Sequence, residues 1–245
     1  MAFGLPYMGS KNIYAKRILD CLPAGKRFVD LFAGGCAVTD CAIRKYNNKY
    51  ERYLINDINS EIINLYLKCL QGQNPVSKKW VSPDEFIKSD YPTKLVWSFN
   101  SNTIEYIYSK QNISQKQKMH STDKSTKGCR LYAIENINRL NRLKLDDSSI
   151  IERIETTFEP YENYQYHDGD VVYCDIPYRN TDNRQYKTEF DYDKFWSWAK
   201  AQPFDIYVSE RTIPDNAEII MRIDVPNRAS QFGTVKTKIE YLVKV

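Results

Sequence analysis

A chain of 245 residues, 42% hydrophobic and 27% charged, has the composition of an ordinary globular protein and the length of one sizeable domain, or of a core domain carrying an insert. No apolar run approaches the roughly 18 residues of a membrane span, and Met-Ala-Phe-Gly-Leu-Pro at the start is not a secretory signal, so we expect a cytoplasmic protein. The net charge of +4 hides an asymmetry: residues 71–145 hold 13 Lys and Arg against 6 Asp and Glu, leaving the rest of the chain acidic. Such a basic segment suits a module facing a phosphate backbone, and equally a solvated lysine-rich surface.

In chain order, apolar residues at helical spacing (Ile13, Ala15, Ile18, Leu19, Leu22) predict a helix over 11–22. A short buried strand over 27–32 runs through a glycine turn into a helix over 37–46. A second strand over 52–55 leads to a second helix over 61–70. Strand and helix in alternation imply a parallel sheet. The rhythm breaks over 71–165, where Lys, Asn, Ser and Gln are frequent; 111–128 reads as a mobile polar loop and 131–145 as a helix. Alternation resumes with a strand over 171–174, a helix over 193–200 and a strand over 205–208. The last two runs, 218–225 and 238–245, pair as an antiparallel hairpin. The expected fold class is α/β: a Rossmann-like, doubly wound, mostly parallel sheet with an antiparallel C-terminal edge hairpin and an inserted, mainly helical region. Residues 1–70 and 166–245 then form one domain and 71–165 the insert.

Metal chemistry is poorly supplied. The six cysteines contain no Cys-x-x-Cys pair, and the histidines are His120 and His167 alone. Two stretches carry chemistry instead. In Phe28-Val-Asp-Leu-Phe-Ala-Gly-Gly-Cys36 an apolar strand meets paired glycines, which let backbone approach a ligand at the strand's carboxyl end. Its spacing is not the Gly-x-Gly-x-x-Gly of nicotinamide cofactors. Asp57, some 20 residues on, stands where a carboxylate accepts hydrogen bonds from ribose, which suits any adenosine-containing cofactor. In Val171-Val-Tyr-Cys-Asp-Ile-Pro-Tyr178, Asp175 can accept one amino hydrogen and the Ile176 carbonyl another. Pro177 confines Ile176 to extended geometry, and Tyr178 offers a flat face for a base.

The two stretches occur in order with Tyr7-Met-Gly-Ser-Lys11, with Ile55-Asn-Asp-Ile-Asn-Ser-Glu-Ile-Ile-Asn-Leu-Tyr66 and with Phe190-Asp-Tyr-Asp-Lys-Phe-Trp-Ser-Trp198. Together they resemble the Dam-type DNA adenine-N6 methyltransferases (the D12 class, alpha group) over nearly the whole chain outside the insert. The resemblance implies S-adenosylmethionine as cofactor and duplex DNA as partner, with no metal and no membrane. It places Tyr7, Lys11, Asp30, Phe32, Gly34, Asp57 and Asp175 at the cofactor, and Asp175, Ile176, Pro177 and Tyr178 at a flipped-out adenine. The insert becomes the target-recognition region, with Lys124, Lys127, Arg130, Arg139 and Arg142 as the candidate DNA contacts. Carbon-5 cytosine methylation is excluded because it needs a Pro-Cys nucleophile and the chain has no such dipeptide. Amino-cytosine methylation and a non-catalytic DNA-binding relative stay open. The family's usual Asp-Pro-Pro-Tyr is Asp-Ile-Pro-Tyr here, and because Ile176 is read as contributing only its carbonyl, a proline there should be tolerated. The insert lacks the recognition-hairpin sequence associated with GATC-reading members.

Overall fold

The computed structural model describes residues 2–122, 130–179, 190–225 and 238–245. Among the described residues seven strands form a single sheet: β1 (Gly25–Asp30), β2 (Tyr50–Asn56), β3 (Ile154–Thr157), β4 (Asp170–Cys174), β5 (Ile206–Glu210), β6 (Glu218–Val225) and β7 (Lys238–Lys244). Their order is β3-β2-β1-β4-β5-β7-β6. The pairs β1–β2, β1–β4, β2–β3 and β4–β5 are parallel, while β7 runs antiparallel to both β5 and β6. The fold is therefore the expected Rossmann-like α/β class. The hairpin differs in one respect: its second strand lies inside the sheet between β5 and β6.

The central strands carry continuous apolar runs because both faces are covered; Val171, Val172, Tyr173 and Cys174 are all buried. Helices α1 (Ala15–Cys21), α2 (Ala37–Lys45) and α3 (Ser60–Leu70) fall where periodicity puts them. Asn59 starts α3, its side chain accepting from Glu61 N, and Ile62, Ile63, Tyr66, Cys69 and Leu70 form the buried stripe. The predicted helix over 11–22 is broken at Tyr14, so Lys11 lies on a separate 3-10 turn, Lys11–Ile13, that leads into α1.

The segment 71–165 contains α4 (Pro83–Lys88), α5 (Tyr91–Trp97), α6 (Ile113–Thr122) and α7 (Tyr132–Asn141). Two corrections fall here. The described part of the expected loop over 111–128 is helical: a 3-10 turn, Lys110–Asn112, runs into α6. Ile113 and His120, on one side of α6, pack inward, His120 against the rings of Trp80 and Trp97 at 5.5 and 5.8 Å. Second, β3 belongs to the central sheet although it lies inside the expected insert. This segment also shares a core with the sheet: Trp97, Ala133, Ile137 and Leu140 pack with Leu5, Ile55, Ile62 and Tyr66. Cys36, Cys41, Cys69 and Cys174 are buried and Cys21 exposed, all five as free thiols. Among the described residues no helix is long and apolar enough to cross a membrane.

The candidate active site

Because β1, β2, β4 and β5 are parallel, their carboxyl ends share one edge, the place where open α/β sheets bind ligands. Asp30 ends β1, Asp57 follows β2, Asp175 follows β4 and Glu210 ends β5. Antiparallel β7 enters at the same edge, with Tyr241 opposite Glu210.

The glycine turn is fixed from both sides. Gly34 has φ of 45°, its N–H donates to Asp57 Oδ2 at 2.8 Å, and Asn59 N–H donates to Asp57 Oδ1 at 2.9 Å. Tyr7 lies against the turn: a β-carbon at position 35 would come within 2.6 Å of Tyr7 Cβ. Leu5 N–H closes the arrangement by donating to Gly35 O at 2.8 Å. Burial pushes the Asp57 carboxyl up, against the pull of its two backbone donors. Asp30 is 2% exposed. Its Oδ2 accepts from Thr39 Oγ1 at 2.7 Å, while Oδ1 has no hydrogen-bond partner among the described residues. Burial drives its carboxyl up to about 7; Thr39 opposes this, and the charges of Asp175 and Asp57 add to it. The Phe32 ring sits in an aromatic group with Tyr161, Phe190 and Phe195 at centroid distances of 5.6, 5.7 and 5.7 Å.

At the end of β4, Lys11 Nζ meets Asp175 Oδ1 at 2.8 Å and stands 3.8 Å from Glu240 Oε2. Burial alone would lower the Lys11 ammonium, but Asp175 and Glu240 reverse the direction and hold it charged. For Asp175, burial wins: its carboxyl is raised despite Lys11 and the Tyr178 hydroxyl. Lys11 Nζ lies 4.5 Å and Arg211 Cζ 4.3 Å from the Tyr178 ring centroid, both within cation–π range. Ile176 is 2% exposed and packs among Val29, Val172, Phe195 and Val208. Its side chain belongs to the buried core on that face of the sheet.

All ten residues expected at cofactor or base thus lie along this edge. Lys11, expected at the cofactor, pairs with Asp175, a contact that two residues so distant in sequence could not disclose. The DNA candidates separate. Arg130 is exposed, with Glu135 at 3.8 Å, and Arg142 is exposed at the end of α7. Arg139 turns inward, donating from Nε to Gly4 O at 2.8 Å and from its terminal nitrogen to Phe3 O. It therefore ties the amino-terminal segment down, and burial lowers its guanidinium to about 10. Lys124 and Lys127 lie outside the described residues. Sequence reasoning missed Glu210, Arg211 and Glu240, although a charged residue inside the apolar run Ile239-Glu-Tyr-Leu-Val243 was a usable signal.

The donor set fits S-adenosylmethionine. Its ammonium and ribose hydroxyls need acceptors, and Asp30 offers an unpartnered buried carboxylate oxygen beside a glycine turn that Asp57 holds. Among the described residues no group of His, Cys, Asp and Glu is placed to hold a metal ion.

The Retron Ec67 DNA adenine methylase of Escherichia coli is 41% identical to this chain over 64 residues, a match covering 26% of the chain and 20% of that protein. Two solved structures of the rRNA methyltransferase aviRa from Streptomyces viridochromogenes are 15% identical, with TM-scores of 0.35 and 0.38. Those matches cover 96% and 100% of this chain and 82% and 88% of theirs; the fold assignment rests on the strand order. The model of the D12 class N6 adenine-specific DNA methyltransferases matches residues 7–207, which take in Lys11, the glycine turn, Asp57 and the Asp175–Tyr178 segment, and the chain belongs to that family.

Proposed function

We propose that this protein transfers a methyl group from S-adenosylmethionine to the exocyclic amino nitrogen of adenine in duplex DNA. The observation that carries the reading is Asp175, held at the end of β4 by Lys11 at 2.8 Å, beside the Ile176 carbonyl and the Tyr178 ring. When bound, S-adenosylmethionine supplies an electrophilic methyl on a sulfonium.

The chain's own residues position the nucleophile. The adenine amino nitrogen is a weak nucleophile because its lone pair is delocalised into the ring. Two acceptors, Asp175 and the Ile176 carbonyl, grip its hydrogens and favour a more tetrahedral nitrogen with its lone pair available. A carboxylate has about four lone-pair sites, so the contacts from Lys11 and the Tyr178 hydroxyl leave Asp175 with acceptor capacity for the amino group. Asp175 does not need to be a strong base, because the nitrogen becomes acidic once methylated. Catalysis rests on orientation and electrostatics, with no covalent intermediate on the protein. The base must leave the duplex stack at a cost of a few kcal/mol, and stacking on Tyr178 returns about 1–3 kcal/mol of that. Lys11 and Arg211 already lie over the ring, so a stacking base displaces or shares one of these contacts.

Duplex recognition is placed in residues 71–165. In support, the basic excess of the chain lies within residues 71–145, and Lys78, Lys79, Lys110, Lys118, Arg130 and Arg142 are exposed. The test is to incubate the protein with duplex DNA and S-adenosylmethionine labelled in the methyl group, then digest and weigh the nucleosides. N6-methyldeoxyadenosine as the labelled product is the expected result. Labelled cytosine would replace the substrate, and no labelled nucleoside from any duplex would end the reading.

A further inference from the structure

Glu240 stands in the interior of β7, 6% exposed, between β5 and β6 in the sheet. Its Oε1 accepts from the Arg211 terminal nitrogen at 3.1 Å, and its Oε2 faces Lys11 Nζ at 3.8 Å. Arg211 is fixed a second time through its backbone N–H, which donates to Glu210 Oε1 at 2.6 Å. Glu240 therefore bridges two cations, and both of them lie within 4.5 Å of the centroid of one ring, Tyr178. Without a carboxylate between them, those cations would repel each other at close range in a medium of low dielectric.

Stability alone does not account for this arrangement. Buried ion pairs are often replaced by well-packed apolar residues at no cost in stability, and β7 has apolar neighbours on which to model such a replacement. What the carboxylate does provide is geometry: it fixes Lys11, which holds Asp175, and Arg211, which holds Tyr178. Arg211 and Glu240 also lie beyond the span 7–207 that the family shares.

We propose that Glu240 and Arg211 are positioning residues for methyl transfer: Glu240 braces Lys11 and Arg211, and these orient the Asp175 carboxylate and the Tyr178 ring for the target base. The proposal rests on the methyltransferase reading of the same site. Neither residue touches the glycine turn, Asp30 or Asp57, so their effect falls on turnover and leaves cofactor affinity alone.

The test compares the full chain with its Glu240→Gln variant, which keeps shape and loses charge. For methyl transfer to duplex DNA, kcat should fall by about 100-fold, the scale of an ångström-size misplacement, while KM for S-adenosylmethionine stays within about two-fold. Arg211→Lys should retain more activity than Arg211→Ala. A second readout needs no turnover: acetylation of Lys11 by an N-hydroxysuccinimide ester, followed by peptide mass spectrometry. Lys11, buried in the wild type, should be labelled faster in Glu240→Gln at an unchanged unfolding temperature. A folded Glu240→Gln with kcat within about two-fold of wild type, or with Lys11 labelled no faster, overturns the proposal. If the wild type transfers no methyl group, the functional reading fails by itself, and the labelling still decides whether Glu240 braces Lys11. Should Glu240→Gln not fold, Arg211→Ala is judged by the same two measurements.

Discussion

Asp170 opens β4 and Asp175 follows its last residue, so two carboxylates sit at opposite ends of one strand. Each has a cation. Arg27 takes Asp170 in a two-point grip, Nε to Oδ1 at 2.9 Å and the terminal nitrogen to Oδ2 at 2.7 Å. The Tyr164 hydroxyl and His167 N–H add to Oδ2 at 2.6 and 2.9 Å. Burial pushes the Asp170 carboxyl up, but these donors outweigh it and hold it below its ordinary value. Asp175 has a lysine at Oδ1 and the Tyr178 hydroxyl, and there burial outweighs the donors. The difference is one of saturation. A carboxylate whose lone pairs are filled by the protein is a clasp, and one left under-filled at a ligand-binding edge has acceptor capacity for a substrate.

The first way to break the comparison is at the clasp. Arg27→Ala leaves Asp170 buried and should destabilise the fold by about 3–5 kcal/mol, read from urea unfolding; a loss below about 1 kcal/mol would put the pair in the surface class and dissolve the contrast. At the other end, Asp175→Ala should cost methyl transfer about 10²–10³-fold. Turnover as fast as wild type would mean that the acceptor lies elsewhere.

Asp30 sharpens the comparison through pH. Its folded-state value of about 7 stands above the ordinary 3.8, so the folded state binds the proton more tightly than the unfolded chain. The associated stability is complete below the unfolded value and is lost as pH rises toward about 7. Asp30→Asn should therefore be more stable than wild type at about pH 8, with an advantage that shrinks by up to about 1.4 kcal/mol per unit on acidification. The same variant should bind S-adenosylmethionine more weakly, the usual exchange of function for stability at a strained site. Equal unfolding temperatures for the two proteins across that range would show that Asp30 is not held protonated. The smallest effect is expected at Ile176→Pro. It trims a buried aliphatic side chain, which costs about 0.5–1.5 kcal/mol, and keeps the carbonyl, so activity should stay close to wild type. A large loss of turnover would show that side-chain packing at this position sets the geometry of Asp175.

Much of the fold was legible because it is locally encoded. The apolar runs of β1, β2, β4 and β5, the periodicity of α2 and α3, and the glycine turn before α2 are short-range patterns, and the structure follows them. Two helices in the insert were legible and passed over. Ser82-Pro-Asp-Glu85 forms a capping box with proline in the first turn of α4. Asp90 caps α5 by accepting from Thr93 N–H at 3.0 Å. In α6 the polar composition hid the helix, because its inward contacts are carried by Ile113 and His120, spaced far apart.

By itself the sequence determined the alternation of elements, the order of the motifs and the residues able to accept hydrogen bonds from a base or a ribose. Those depend on residue type and on spacing along a strand or helix, which are properties of neighbours in the chain. Only the tertiary structure decided which charges meet. Lys11 reaches Asp175 because its 3-10 turn stands at the end of β4. Glu240 reaches both Lys11 and Arg211 because β7 enters the sheet between β5 and β6. Arg139 reaches the carbonyls of Phe3 and Gly4 because α7 packs beside the amino-terminal segment. Charge pairing in a buried site is fixed by distance in space and by the loss of water, and neither is written in the spacing of residues along the chain.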